Sequence, residues 1–180
     1  MIIRCATVED ARGIAAVQVA SWRSTYRGIV PDSVLDGMGV EQGAARWVGN
    51  LSSGRSVTHV AEGDSGVCGF VSWGPAREPV GEFDGELWAL YLADENHGLG
   101  LGRKMVEVAA RELLAAGYHS MIVWALQENP AVGFYKRLGA VAVSGKMVEI
   151  GGAKIPDLAL GWKDLCSSFR PASTTTDASS

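Results

Sequence analysis

Residues Leu87–Met105 read LWALYLADENHGLGLGRKM. An apolar run ends at Ala93, and a short polar segment, Asp94 to His97, follows it. Gly98, Gly100 and Gly102 then fall at alternate positions just ahead of the basic pair Arg103 and Lys104, where a helical pattern begins. A strand, a glycine-rich turn and a helix start in that order turn several backbone N–H groups toward the positive end of a helix. Such an end binds an anion, and a phosphorylated ligand above all.

Two familiar phosphate loops do not fit. A Walker loop, G-x-x-x-x-G-K-[ST], places a hydroxyl after its lysine for magnesium, but Lys104 is followed by Met105 and the glycine spacing fails. A dinucleotide fingerprint, G-x-G-x-x-G, needs glycine at the sixth position. That position is Arg103 counted from Gly98 and Met105 counted from Gly100. What remains is G-x-G followed by a basic residue, a loop for a pyrophosphate held without metal.

His97-Gly98-Leu99-Gly100-Leu101-Gly102 resembles the Q/R-x-x-G-x-G/A loop of the GNAT superfamily of acyl-CoA-dependent N-acetyltransferases. His97 stands where the family carries Gln or Arg, which affects one side-chain contact to the pyrophosphate and leaves the backbone cradle. The resemblance implies acetyl-CoA as co-substrate. Its pyrophosphate would be held by His97, Gly98, Leu99, Gly100, Gly102 and Arg103.

Length and composition frame this reading. The 180 residues suit one domain, and 47% hydrophobic with 20% charged residues describes an ordinary soluble globule. A net charge of −4, with only short basic pairs, argues against nucleic acid as a partner. No apolar run approaches a membrane span, and the N-terminus lacks a signal-peptide layout. Cys5, Cys68 and Cys166 are odd in number and widely spaced, so they read as reduced thiols of a cytoplasmic protein. No Cys/His cluster suggests a metal. His59 and His119 stand apart from other ligands and read as structural or surface residues.

The remaining pattern predicts a strand at Ile2–Ala6, a helix from Glu9 to about Tyr26, a helical turn after Pro31 and a helix at Glu41–Leu51. Val57–Ala61 and Val67–Trp73 read as strands of a hairpin turning at Gly63-Asp64-Ser65-Gly66. Gly85–Ala93 is the strand before the loop, and Leu101–Ala116 is a helix stopped by Gly117. Met121–Leu126 is a buried strand, and Asn129-Pro130 opens a helix ending at Gly139. Ala140–Ile150 and Ile155–Trp162 pair around Gly151-Gly152. This order predicts an α/β chain with mixed strand directions. It is also the element order of the GNAT fold: a single domain with a central mixed, mostly antiparallel twisted sheet flanked by helices. That domain is expected over residues 1–166, with a flexible Ser/Thr-rich tail over residues 167–180. The resemblance also implies a C-terminal hairpin of the kind through which such proteins commonly form homodimers.

Acetyl transfer to an amine needs a neutral nucleophile, N–H donors for the oxyanion and a proton for the departing thiolate. The segment NPAVGFYKRLGA resembles the second GNAT signature. By that resemblance Asn129 contacts pantetheine and Tyr135 is the general acid at the thioester sulfur. The backbone N–H groups of Leu90 and Leu92 correspond to those that bind the acetyl carbonyl and the pantetheine amides. Glu86 is the candidate base, and strand alternation puts Glu86, Trp88 and Leu90 on one face. Trp22 and Tyr26 share a helix face within SWRSTYRGIVPD, a stretch resembling a subset of bacterial GNAT proteins. With Trp73, Glu86 and Trp88 they are candidates for the acceptor pocket. Core packing is an equal explanation for each aromatic. Three functions are compatible with these residues: acetylation of a small amine, acetylation of protein N-termini or lysines, and non-catalytic acyl-CoA binding.

Overall fold

A computed structural model describes residues 1–169, so the expected tail lies, beyond Phe169, outside the described residues. The elements are β1 (Ile2–Cys5), α1 (Ala11–Thr25), α2 (Asp32–Asp36), α3 (Val40–Ser52), β2 (Val57–Gly63), β3 (Gly66–Pro75) and β4 (Gly85–Leu92). They continue with α4 (Leu101–Ala115), β5 (Met121–Leu126), α5 (Ala131–Arg137), β6 (Val141–Ile150), β7 (Ala153–Trp162) and α6 (Leu165–Ser168). Seven strands form one sheet in the order β1-β2-β3-β4-β5-β7-β6. Every pairing is antiparallel except β4 with β5. That pair is parallel because the chain crosses over through α4 between the two strands.

Each face of the sheet is covered according to the helical periodicity. α4 buries Leu101, Met105, Val106, Ala109, Ala110 and Leu113 at helical spacing. These side chains pack against Val71, Leu87, Met121, Val123 and Leu160. The opposite face is closed by α1 and α3, with Ile14, Ala15, Val17 and Trp47 lying on Val60 and Phe70. At the C-terminal end of the described residues Leu165 is buried in α6, and the Phe169 ring lies 5.6 Å from that of Trp162.

The start of the parallel pair is tied by one carboxylate. Asp84 accepts hydrogen bonds from the backbone N–H of His119 (2.9 Å), the N–H of Ser120 (2.9 Å) and the Ser120 hydroxyl (2.7 Å). Gly85 N–H completes the junction on the Ser120 carbonyl at 3.1 Å. Because three donors lose one acceptor together, Asp84→Ala should destabilise the fold by roughly 1–3 kcal/mol. Urea denaturation checks this, and an unchanged midpoint would exclude the junction as a structural tie.

Candidate active site

β4 and β5 are paired only at their starts, from Gly85↔Met121 to Leu87↔Val123. Beyond Leu87 the two strands diverge, β4 staying with β3 and β5 with β7. The divergence coincides with a bulge, since Ser72 faces Ala89 and Trp73 faces Leu87, leaving Trp88 as the extra residue of β4. Ala93 N–H donates to the Cys68 carbonyl at 2.9 Å. Strand alternation from that bond turns the N–H groups of Leu90 and Leu92 away from β3, into the opening. The Leu92 carbonyl on the same side accepts from the Ser21 hydroxyl at 2.9 Å.

The bulge also corrects one expectation. Glu86, Trp88 and Leu90 do not share a face. Leu87, Leu90 and Leu92 pack with the α4 core, while Ala89 and Tyr91 pack with α1 and α3. One additional residue reverses the alternation after Trp88.

At the end of β4 the glycine loop is open. Gly98 and Gly100 adopt φ of +74° and +77°, a left-handed conformation that favours glycine, and no atom stands where their Cβ would be. Gly102 lies inside α4, and its Cβ would stand 3.3 Å from Phe134 and 3.4 Å from Leu92. Lys104 N–H bonds the Gly100 carbonyl, so the N–H groups of Leu101, Gly102 and Arg103 are those left at the free end of the helix. His97 and Leu99 are exposed beside them. Arg103 is paired along the helix with Glu107 at 2.9 Å, and both are exposed enough that an anion can compete for the guanidinium.

Three tyrosines meet at the opening. Tyr135 is buried, and burial, with a smaller contribution from Tyr91, pushes its hydroxyl pKa well above the usual phenol value. Asn129 Nδ2 donates to the Tyr26 hydroxyl at 2.8 Å, while its Oδ1 accepts from Ala131 N–H at 2.8 Å and caps α5. Tyr26 is hydrogen-bonded in turn to Tyr91, whose hydroxyl also accepts from Trp22 Nε1 at 2.9 Å. Trp22 and Tyr26 stack along α1 with ring centroids 4.7 Å apart. Tyr91 escaped the sequence reading because an aromatic in an apolar strand looks like core; its signal was its place between Leu90 and Leu92.

Glu86 is completely buried and forms an ion pair with Arg77. Arg77 Nε donates to Oε1 and its backbone N–H to Oε2, both at 2.8 Å, so both carboxylate oxygens are engaged. The Arg77 guanidinium also lies over the Trp88 ring, 5.2 Å from its centroid, and Trp88 Nε1 donates to the Pro75 carbonyl. Trp73 does not join this group: it is buried in the α4 core, with its Nε1 unpartnered. Asp157 on β7, half-buried and raised in pKa by burial against the opposing influence of Lys146, faces the same charged region. No motif marks Arg77 or Asp157; the folded sheet brings Arg77 onto Glu86 and Asp157 within the influence of Arg77.

The sequence and the fold are similar to those of known proteins. Residues 76–146 match the FR47-like protein family. The chain is 37% identical over 163 residues to the uncharacterized N-acetyltransferase YuaI of Bacillus subtilis, covering 91% of this chain and 93% of that one. Over 87 residues it is 32% identical to an L-methionine sulfoximine/L-methionine sulfone acetyltransferase of Pseudomonas aeruginosa, covering 47% and 49% of the two chains. A solved structure of yncA from Salmonella typhimurium with its cofactor acetyl-CoA superposes with a TM-score of 0.67 at 21% identity, covering 91% and 93%. A mixed sheet opened between two parallel strands beside a glycine loop is an acyltransferase architecture. The chain belongs to the GNAT superfamily of N-acetyltransferases.

Removing the Arg77 side chain leaves the Glu86 carboxylate buried without its guanidinium. Arg77→Ala is therefore expected to destabilise the protein by roughly 2–4 kcal/mol, less than for a fully buried pair because Arg77 is half exposed. Arg77→Ala combined with Glu86→Gln should recover part of that loss, and a thermal-melting cycle in which the two changes add independently would exclude the coupling.

Proposed function

We propose that the protein transfers an acetyl group from acetyl-CoA to the primary amine of a small molecule, by direct attack in a ternary complex. The observation that carries this reading is the opening between β4 and β5, with the N–H groups of Leu90 and Leu92 turned into it. The open glycine loop and the free end of α4 fit a pyrophosphate on one side. The opposite side is a cleft walled by α1 and α3. The acetyl-CoA in the yncA structure supports the choice of donor, and the Pseudomonas relative, named for two small amines, supports the class of acceptor.

In this mechanism the neutral amine attacks the thioester carbonyl. The Leu90 N–H stabilises the tetrahedral oxyanion, and Leu92 N–H holds a pantetheine amide. Collapse breaks the carbon–sulfur bond, and Tyr135 gives its proton to the departing thiolate. The raised pKa keeps Tyr135 protonated, so it is a competent acid throughout the neutral range. Asn129 orders the pantetheine side through its remaining amide hydrogen. Glu86, with both oxygens held by Arg77, acts as a positioning group for the acceptor wall, and the amine proton leaves to water in the cleft.

Tyr135→Phe should lower kcat by roughly 100-fold or more while acetyl-CoA affinity is retained. Coenzyme A release with a panel of amines measures the first and calorimetry the second; undiminished turnover would exclude Tyr135 as the acid. Because its pKa is raised, any loss of activity from Tyr135 ionisation should fall above pH ~10. Gly102→Leu, which places a side chain against Phe134 and Leu92, should weaken acetyl-CoA binding at least tenfold, and unaltered affinity would move the cofactor away from this loop.

A further inference from the structure

Two cavities adjoin the opening on the α1–α3 face. One, of about 300 Å³, ends on Trp88 and Ala89, at the bulge of β4, and is lined there by Arg77 and farther out by Arg55. The other, of about 450 Å³, carries Arg46. They share Gln18, Trp47 and Asn50 and so are two adjoining compartments of a cleft, divided by those residues. Its dividing wall is held by the hydrogen bond from Trp47 Nε1 to Gln18 Oε1 at 2.8 Å.

The charge of this cleft is one-sided. Three guanidinium groups line it, and no Asp or Glu does. Arg77 is neutralised by Glu86 beneath it. Among the described residues Arg46 and Arg55 form no ion pair, as is also true of Arg23, Arg111 and Arg137, but of these five only Arg46 and Arg55 line the cleft. Two uncompensated cations in a cleft of a chain with net charge −4 are a local reversal of the protein's own field. They repel a polyamine or a lysine-rich peptide and attract an oxyanion, for which a guanidinium offers a planar, bidentate donor pair. Asn50, Ser53 and Ser56 add neutral polar groups beside Arg55.

We propose that the acceptor is an amino acid or a closely similar amine bearing a carboxylate, whose anion docks on Arg55, with Arg46 adding to the field. The amine then projects past Trp88 and Ala89 toward the opening at Leu90. The inference rests on the acetyltransfer reading and specifies its substrate. It requires no new chemistry: the carboxylate is bound intact, and the amine alone reacts.

The test compares matched acceptors at saturating acetyl-CoA: amino acids, their methyl esters, the corresponding decarboxylated amines, and spermidine. The acids are expected to exceed their esters and amines in kcat/KM by at least tenfold. Arg55→Gln should reduce kcat/KM for the acids at least tenfold, mainly through KM, while leaving the esters within about twofold. Arg12→Gln, which removes an equal charge from an exposed pair far from the cleft, should change neither. The proposal is overturned if esters or spermidine are the better acceptors, or if Arg55→Gln affects acids and esters alike. Turnover without any preference for a carboxylate would remove this inference and keep acetyl transfer; acetyl-CoA binding with no turnover of any amine would remove both.

Discussion

The ladder between β4 and β5 stops at Leu87 and Val123, and the candidate site exists because it stops there. A sheet interior normally satisfies its backbone groups by pairing, and strands that separate leave N–H and C=O groups in need of partners. Here the separation is held at both ends. Asp84 and Ser120 pin the strands together where they begin. The bulge at Trp88 then turns β4 away, and Ser21 from α1 takes up the Leu92 carbonyl that β5 does not reach. What remains exposed in the opening is a short row of N–H donors, the chemical requirement for binding a carbonyl that becomes an oxyanion.

Other features take their positions from this opening. α4 begins directly after β4, so the free N–H groups of its first turn stand next to the gap. α5 follows β5 and brings Tyr135 against the same gap from the core side. α1 supplies Trp22 and Tyr26 from the opposite face, linked through Tyr91 to Asn129. The glycine loop, Tyr135 and the aromatic pair of α1 thus come from separate segments and converge on one interruption in the sheet. The charges are distributed with similar economy: Glu86 is buried against Arg77, while the outer cleft keeps Arg46 and Arg55 uncompensated.

Much of this was legible in the chain. The glycine spacing and the hairpin at Asp64–Ser65 are local signals, and every element except α6, which was not expected, formed within a few residues of its expected bounds. Asn129 and Tyr135 were legible because a helix cap and an aromatic pair sit at fixed offsets. The side of the sheet to which each β4 residue points was not. A period-two pattern contains no mark for the extra residue at Trp88, because the bulge arises from pairing with β3. Trp73 and Trp88 looked alike as aromatic strand residues, yet one is core and the other lines the cleft. Arg55 and Arg77 looked like ordinary surface cations.

By itself the sequence determined the element order, the glycine-rich turn and the family to which the chain belongs, since these depend on residues close together along the backbone. The tertiary structure alone decided that Glu86 is held by Arg77, that Tyr26 meets Asn129, and that Arg55 and Arg77 line one cavity with Trp88. Those relations join residues from nine to 103 positions apart in the chain. Burial, hydrogen bonding and electrostatic pairing depend on distance in space, which no local spacing encodes.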